Sequence, residues 1–298
     1  MFQMISDRVG FVPGGTNVGL IRHDDGAFTL IDSGLNDTTA RKVLRVIRDE
    51  LKSSVVSIIN THGHADHFGA NAFVRKRTGC EIWAPAIEAA IVANPVLQPA
   101  MLYGGADPVD ALRNKFLLAE ATPVTGEIPI GPWDHHGTRL EVIPLPGHSP
   151  NQVGFLIDGV FFAADVVFPS AAIEKYRIPY LYGLTDHLAS LAEASAIQAV
   201  RVVPGHGEAP ESIGELASLN LAAIDRTMEV LLELLSEPLS GDALAAATFA
   251  RLVVPVTDAQ GYFLLRPTIS AYLAHLERLG AVRFEVIGTN AIWRRTAG

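Results

Sequence analysis

The 298-residue chain is short of cysteine, basic charge and long apolar runs. Its single cysteine, Cys80, excludes an internal disulfide, and we interpret it as a small packing residue. The formal net charge of -9 argues against a general affinity for nucleic acid or anionic membranes. No apolar run approaches a membrane span, and residues 1–19 lack the charged start and apolar core of a signal peptide. These absences predict a cytoplasmic protein without membrane association.

Apolar residues and histidines, by contrast, are plentiful. Hydrophobic residues make up 49% of the sequence, which is ample for a core. The length suits one large domain with an appendage, or two moderate domains. The placement of the ten histidines is the most informative feature of the chain.

The densest motif is Thr61-His62-Gly63-His64-Ala65-Asp66-His67, which holds three imidazoles and a carboxylate. It directly follows residues 55–59, an apolar run that we predict to be a buried strand. Imidazole and carboxylate ligands without thiolate suit zinc, with iron and manganese as alternatives. The motif therefore predicts a metal site at the end of this strand.

Three further residues of ligand type, His148, Asp165 and His206, stand at the ends of other apolar stretches, beside glycine, proline or alanine. Strand ends that lead into short loops are where rigid scaffolds present catalytic side chains. The grouping predicts two metal ions bridged by Asp165. The first ion would be held by His62, His64 and His148, and the second by Asp66, His67 and His206.

The series THGHADH, PGH, the aspartate of FFAAD and PGHG resembles the metallo-β-lactamase superfamily over roughly residues 10–210. The resemblance implies an α/β fold, the four-layer αβ/βα sandwich, and the same assignment of ligands to two metals. It also implies that Asp32, in Thr29-Leu30-Ile31-Asp32-Ser33-Gly34, supports the ligand loop without binding metal itself.

Details of the resemblance distinguish among members of the superfamily. Zinc β-lactamases that resemble this chain elsewhere have cysteine or serine in place of Asp165, which argues against antibiotic hydrolysis. The set resembles glyoxalase II, lactonases, phosphodiesterases and persulfide dioxygenases instead. Glyoxalase II holds glutathione with a basic and an aromatic residue, and Lys175 and Tyr176 stand near those places. A quorum-signal lactonase would have tyrosine where this chain has Phe168.

Hydrophobic periodicity predicts an α/β body around these motifs. Two of its hairpins turn through Asp-Gly steps. The predicted elements are hairpins over 16–31 and 153–164, helices over 38–51 and 67–77, and strands over 55–60 and 201–203. Asn36 or Asp37 is expected to cap the first helix.

Residues 84–132, between the first two ligand motifs, are rich in Pro, Gly and Ala. We expect either a lid over the metals, with Met101, Leu102 and Tyr103 facing substrate, or an ordinary surface loop. Three later tyrosines are likewise candidates for the pocket or for the core: Tyr176, Tyr180 and Tyr182.

The five remaining histidines have no partner motif. We interpret His135 and His136 as surface residues and His23 as part of a hairpin turn. We expect His187, with Asp186, to cap or begin a helix and His275 to lie on a helix of the tail.

The tail departs from the α/β pattern. We predict helices over 216–235, 243–252 and 268–279, with a proline-containing connector before the last, and then a final hairpin. Helices followed by a two-stranded wing are typical of a winged-helix-like module. We therefore predict a metallo-β-lactamase-like catalytic domain over 1–212 and a helical, winged-helix-like domain over 213–298.

The charge of the tail disfavours a role in reading nucleic acid. From residue 213 onward it contains seven Arg, no Lys and nine acidic residues, whereas a DNA-reading helix needs several phosphate and base contacts. We expect the tail to close the active-site rim or to form a homodimer. It also resembles the helical C-terminal region of a group that includes a mitochondrial endoribonuclease, which keeps RNA cleavage as an alternative.

We predict metal-assisted hydrolysis of an ester, thioester or lactone. The acidic charge balance and the apolar candidate lid favour a small, partly apolar acyl substrate. A hydroxide that bridges two divalent ions would attack the carbonyl, and Asp66 would orient the hydroxide or accept its proton. Asp66 and Asp165 are thus the predicted catalytic residues. The alternatives are a phosphodiesterase or endoribonuclease, a mononuclear iron persulfide dioxygenase and a non-catalytic binding protein.

Overall fold

A computed structural model describes residues 2–296 of the chain, and its first sheet has seven strands. In spatial order they are β1 (Gln3–Met4), β2 (Val9–Val12), β3 (Val18–Arg22), β4 (Phe28–Ile31), β5 (Val55–Ile59), β6 (Glu81–Ala84) and β7 (Gly126–Glu127). Strands β1 to β4 pair antiparallel, whereas β4 to β7 pair parallel. Parallel neighbours need long crossovers, so the chain between these strands contains most of the helices of this half.

The second sheet has five strands. They are β8 (Gly131–His135), β9 (Thr138–Pro144), β10 (Val153–Ile157), β11 (Val160–Ala164) and β12 (Arg201–Pro204), in the spatial order β12-β11-β10-β9-β8. The β10–β11 hairpin turns at Asp158 and Gly159, which have positive φ angles of 50° and 78°. Asp-Gly tolerates this conformation, which confirms the predicted turn.

Ten α-helices within residues 2–296 connect these strands or follow them. They are α1 (Asp37–Arg45), α2 (Ala65–Phe68), α3 (Asn71–Thr78), α4 (Ala86–Ala93), α5 (Leu97–Leu102), α6 (Ser170–Tyr176), α7 (Leu184–Ala196), α8 (Gly214–Leu234), α9 (Gly241–Leu252) and α10 (Ala259–Arg278). Two of them are short: α2 lies in the ligand loop, and α5 lies in the segment 84–132, which is called the lid below. The Asn36 side chain accepts hydrogen bonds from the amides of Thr38 and Thr39 and so caps α1, as predicted. Within residues 2–296, every helix is too short or too polar to cross a bilayer.

Apolar side chains form one layer between the sheets and one on each outer face. Ile21 and Ile59 of the first sheet share the central core with Phe155 of the second. Helices α1 and α3 cover the outer face of the first sheet around Leu20, and α7 and α8 cover that of the second around Phe161. This arrangement is the expected αβ/βα sandwich.

The tail continues the fold with three helices and a small sheet. Strands β13 (Leu239–Ser240), β14 (Val282–Ile287) and β15 (Asn290–Arg295) pair in the order β13-β15-β14. One apolar cluster joins Ile178 and Leu181 of the body to Ile224, Leu231 and Ile269 of the tail. The two parts therefore share a core.

Two predicted helices have different bounds in the structure. The last helix begins at Ala259 and not near Thr268, and it contains Pro267 in its interior. Proline in a helix interior costs about 3 kcal/mol; here Leu265 and Ile269, on either side of it, are buried in the same cluster, which offsets that cost. The helix predicted over 67–77 is split at Gly69, where a Cβ would lie 2.3 Å from the carbonyl oxygen of Leu35.

The interpretation of His135 as a surface residue was wrong. His135 and His23 are each only 4% exposed. The Ser57 hydroxyl hydrogen-bonds to Nε2 of His135 at 2.8 Å and to Oγ1 of Thr29 at 2.5 Å. His23 bonds to the hydroxyls of Thr29 and Thr138, each at 2.7 Å. These partners lie on strands of both sheets and could not be recognised before the sheets were paired, whereas His136 is exposed as expected.

Candidate metal centre

The seven ligand-type residues meet at one edge of the sandwich. His62 and His64 follow β5, and Asp66 and His67 lie in α2. His148, Asp165 and His206 follow β9, β11 and β12, respectively. Because β9, β11 and β12 all point the same way in the second sheet, their ends bring these three residues to the loop that follows β5.

The first group joins His62, His64 and His148. Nδ1 of His64 lies 3.0 Å from Nε2 of His62 and 2.8 Å from Nε2 of His148. Glycine permits the approach of the His148 loop, since a Cβ on Gly147 would lie 2.3 Å from the backbone nitrogen of His187. Three ring nitrogens thus point at one place.

The second group joins Asp66, His67 and His206, whose ligand atoms lie within 4.8 Å of one another. Oδ2 of Asp66 is 3.3 Å from Nε2 of His206 and 3.9 Å from Nε2 of His67. His206 is positioned by the loop before β3, because the Asn17 amide donates to the carbonyls of Pro204 and Gly207, both at 2.9 Å.

Asp165 lies between the two groups. Its Oδ2 is 3.4 Å from Nε2 of His148 and 3.2 Å from Nε2 of His206, and its Oδ1 is 3.4 Å from Nε2 of His67. Gly205 makes this position possible, since a Cβ there would lie 2.0 Å from Oδ1 of Asp165. One carboxylate therefore faces imidazoles of both groups.

The hydrogen bonds of the imidazoles suit metal ligation. Nδ1 of His67 donates to Asp32, Nδ1 of His148 to the carbonyl of Tyr180, and Nδ1 of His206 to the carbonyl of Gly15. Thr61 Oγ1 donates to Asp32, so it accepts from Nδ1 of His62. In each of these four rings Nδ1 is thus bonded to the surrounding protein and Nε2 faces the site, the usual arrangement of metal-binding histidine.

Two buried atoms also fit divalent ions. Within residues 2–296, Nε2 of His67 and Oδ1 of Asp165 are buried and have no hydrogen-bond partner. Buried polar atoms are rarely left unpaired, and a cation between imidazoles and carboxylates would satisfy both. The residues present therefore fit a metal centre.

The histidines of the two ligand groups differ in the direction in which their pKa values are shifted. Burial lowers the pKa of His64 to about 4 and that of His148 to about 3, so these imidazoles are neutral ligands at pH 7. Burial also opposes charge on His67 and His206, but nearby carboxylates, Asp165 foremost, outweigh it and raise their pKa values to about 10 and about 12. The carboxylate side of the site therefore favours positive charge, whether carried by protons or by metal cations.

Asp32 is hydrogen-bonded to the ligand loop. Its Oδ1 accepts from the amide of Thr61 at 2.8 Å, and its Oδ2 accepts from the Thr61 hydroxyl at 2.8 Å and from Nδ1 of His67 at 2.7 Å. Asp32 is 3% exposed and has a left-handed φ of 60°. One buried carboxylate thus orients the ligand loop and the ring of His67.

Glu88 is a buried positioning residue that sequence reasoning missed. One of its oxygens accepts from the amide of Gly63, and the other accepts from the Ser149 hydroxyl and the Asn151 amide, each at 2.7 Å. It thereby ties the loop of His62 and His64 to the loop of His148. The available signal was a single carboxylate in the otherwise apolar stretch Ala86-Ile87-Glu88-Ala89-Ala90-Ile91.

A cavity of about 440 Å³ opens above the residues of the candidate metal centre. Its wall includes Phe168, Tyr176 and Tyr180, all considered from the sequence. Lys175 does not line it; its Nζ lies 2.9 Å from the hydroxyl of Tyr176, toward solvent. Tyr103 does not line it either and packs instead on the ring of Phe263, with centroids 5.0 Å apart.

The lid and the tail together close this cavity. The lid contributes Gln98, Phe116 and Leu117, and the tail contributes residues from 254 to 265. The Asn114 side chain donates to Oε1 of Gln260 at 3.1 Å, and Leu112 and Leu117 pack with Phe263 and Leu264. The segment 84–132 therefore covers the site while anchored to α10.

A family model described as the metallo-beta-lactamase superfamily matches residues 11–206. The hydroxyacylglutathione hydrolase GloC of Haemophilus influenzae is 29% identical over 154 residues, which are 51% of this chain and 66% of that protein. A hydroxyacylglutathione hydrolase of Rhizobium johnstonii is 32% identical over 48% of this chain and 46% of its own length. The chain thus spans 66% and 46%, respectively, of the lengths of these two curated relatives.

The fold has close neighbours among solved structures. A beta-lactamase domain protein from Burkholderia ambifaria superposes with a TM-score of 0.77 at 18% identity, over 99% of this chain and 93% of that one. At this identity the likeness concerns the fold alone. The superposition covers the tail as well as the sandwich.

Proposed function

The chain belongs to the metallo-β-lactamase superfamily, and we propose that it is a dinuclear metal-dependent hydrolase that cleaves an ester, thioester or lactone of a small molecule. The observation that carries this proposal is the position of Asp165 between two groups of three ligand-type residues. A mononuclear centre would leave one of the groups without a purpose. Zinc suits the imidazole and carboxylate set, and manganese or iron would also be accepted.

Bound divalent ions would supply an activated water and polarise the carbonyl of the substrate. Side chains of the protein would orient the water and the substrate. Asp66 lies on the cavity wall. Burial raises the pKa of its carboxyl, but the neighbouring His67 and His206 lower it by more, so this pKa lies below the usual range. Its ionised oxygens can accept a hydrogen bond from the attacking water and orient it.

Tyr180 is a candidate for contact with the substrate oxygen. Its ring lies 5.5 Å from the rings of both His64 and His148 and lines the cavity. Burial raises the pKa of its phenol, so the hydroxyl stays protonated and remains a donor.

Cavity size favours a small molecule over RNA. A volume of about 440 Å³ falls in the roughly 300–1,000 Å³ range of small-molecule sites. We also propose that the tail is a winged-helix-like unit with a structural role, since its elements follow the order α8, β13, α9, α10, β14, β15. A homodimer through this tail stays a prediction.

The first test is the metal content of the protein purified without added metal, measured by elemental mass spectrometry. About two zinc or manganese ions per chain would support the proposal, whereas one iron with oxygen consumption would indicate persulfide dioxygenase chemistry instead. The second test is a panel of a glutathione thioester, lactones, aryl esters and a phosphodiester. Turnover of a carbonyl substrate that a chelator abolishes and zinc restores is expected. Turnover of the phosphodiester alone would contradict the proposal.

A further inference from the structure

The cavity wall has an unusual charge distribution for a protein of net charge -9. Apart from the residues of the metal centre, its described lining carries neither an acidic nor a basic side chain. The rest of the lining is apolar or neutral and includes Gln98, Phe116, Leu117, Gln260, Leu264 and Leu265. A carboxylate packed against these residues would find no cation among them, and the ammonium of Lys175, which is not part of the lining, is already bonded to the hydroxyl of Tyr176 at 2.9 Å.

Three separate parts of the chain build this neutral wall. The lid contributes one side, the segment around α6 the second, and the tail before and within α10 the third. The lid and α10 are held together by the Asn114–Gln260 hydrogen bond and by the packing of Tyr103 on Phe263. The neutral surface is therefore part of the folded structure.

One polar group on this wall has unused capacity. Gln98 is 8% exposed and lines the cavity, and its Oε1 is itself buried and has no hydrogen-bond partner within residues 2–296, so a rotation of the carboxamide would bring it to a ligand. A buried amide oxygen without a partner costs stability unless something donates to it. By contrast, Oε1 of Gln260 is already used by Asn114. Gln98 is thus the group available to a polar but uncharged part of a ligand.

From these observations the geometry points to a substrate class: uncharged esters, thioesters or lactones with an apolar acyl group that carries an amide or hydroxyl. This inference rests on the proposed hydrolase activity and deepens it. Burying a carboxylate against such a wall without a partner is costly. A lone amide, in contrast, meets the carboxamide of Gln98, and an alkyl chain meets Leu117, Leu264 and Leu265.

The test compares two esters of equal length, 4-nitrophenyl hexanoate and mono-4-nitrophenyl adipate, which differ only in a terminal carboxylate. The zinc-loaded protein is expected to favour the hexanoate by about 10-fold or more in kcat/KM. The Phe116→Lys variant places an ammonium on the wall and should raise the relative kcat/KM of the adipate. Val200→Lys, at an exposed position outside the wall, serves as the control and should leave the preference unchanged. Equal or better use of the adipate by the wild type would overturn the inference while leaving the hydrolase proposal intact.

The role of Gln98 is tested with two esters of matched shape. The 4-nitrophenyl ester of N-acetylglycine has an amide where that of 4-methylpentanoic acid has a hydrocarbon. Gln98→Leu should lower the ratio of kcat/KM for the amide ester to that for the hydrocarbon ester several-fold. An unchanged ratio would remove Gln98 from the specificity of the site.

Binding separates failure of the substrate class from failure of the proposed activity. N-methylhexanamide and its counterpart with a terminal carboxylate, N-methyladipamic acid, are amides that resist cleavage, and saturation-transfer NMR reports their binding. Selective binding of the uncharged amide without turnover of any ester would support the neutral pocket and count against the hydrolase. Preferential binding of the carboxylate would overturn the pocket assignment whatever the activity.

Discussion

Oδ2 of Asp32 lies 2.7 Å from Nδ1 of His67, and both side chains are buried. The same oxygen accepts from the hydroxyl of Thr61, whose backbone amide donates to the other oxygen. Because Nδ1 of His67 is engaged in this way, its Nε2 faces Asp66 and Asp165. Asp32 therefore determines which nitrogen of His67 is offered to a metal.

The Asp32→Asn substitution is predicted to weaken metal binding about 10- to 100-fold, since asparagine cannot accept from Thr61 and His67 as the carboxylate does. The fold should persist. A competition titration against a chromogenic chelator measures the affinity, and circular dichroism checks the fold. Asp37→Asn, an exposed carboxylate in the first turn of α1, is the matched control. Wild-type affinity in Asp32→Asn would contradict this role.

Glu88→Ala is predicted to lower the free energy of unfolding by roughly 3 kcal/mol or more, because three donors in two ligand loops lose their acceptor. Denaturant unfolding measures the change. Glu174→Ala, at an exposed position of α6, should change the stability by no more than about 0.5 kcal/mol. Similar values for the two variants would show that Glu88 does not hold the loops together. Glu88→Gln should restore little, since one of its two groups becomes a donor facing donors.

His64→Ala is predicted to abolish hydrolysis while leaving the fold largely intact. His64 lies within hydrogen-bond distance of both His62 and His148, so its loss opens the first ligand group. Steady-state kinetics and metal analysis of the same preparation provide the measurement, with the exposed His136→Ala as control. Full turnover with both metals bound would refute the assignment of the first ion.

Stability should fall in mildly acidic solution because of His135. Burial lowers the pKa of His135 to about 3, whereas a histidine in the unfolded chain has a pKa near 6.5. The unfolded chain therefore binds more protons between pH 6.5 and 3, so the stability is fully present above pH 6.5 and declines below it. The slope from one such group is at most about 1.4 kcal/mol per pH unit. Urea unfolding from pH 7 to 4 measures this slope, which should become shallower in His135→Asn. Equal slopes would exclude His135 as a source of acid sensitivity.

Local patterns predicted the elements of the body well and those of the tail less well. Two apolar stretches joined by an Asp-Gly turn predicted the hairpin of β10 and β11 with the bounds that the structure shows. The start of α10 was missed because Pro267 signals a break, whereas burial of Leu265 and Ile269 in a distant cluster overrides that local signal.

Spacing, residue type and position at strand ends were sufficient to select all seven residues of the candidate metal centre, since these properties are carried by the chain itself. The remaining features of the site depend on tertiary structure, namely on the pairing of β11 with β12 and on the contact of the lid with α10. Three features depend on contacts between residues that are far apart in the chain. They are the bonds of Glu88 to two loops, the burial of His135 between the sheets and the neutral cavity wall that includes Gln98. Such contacts arise only when the layers pack, because burial and hydrogen bonding across them are properties of the assembled fold.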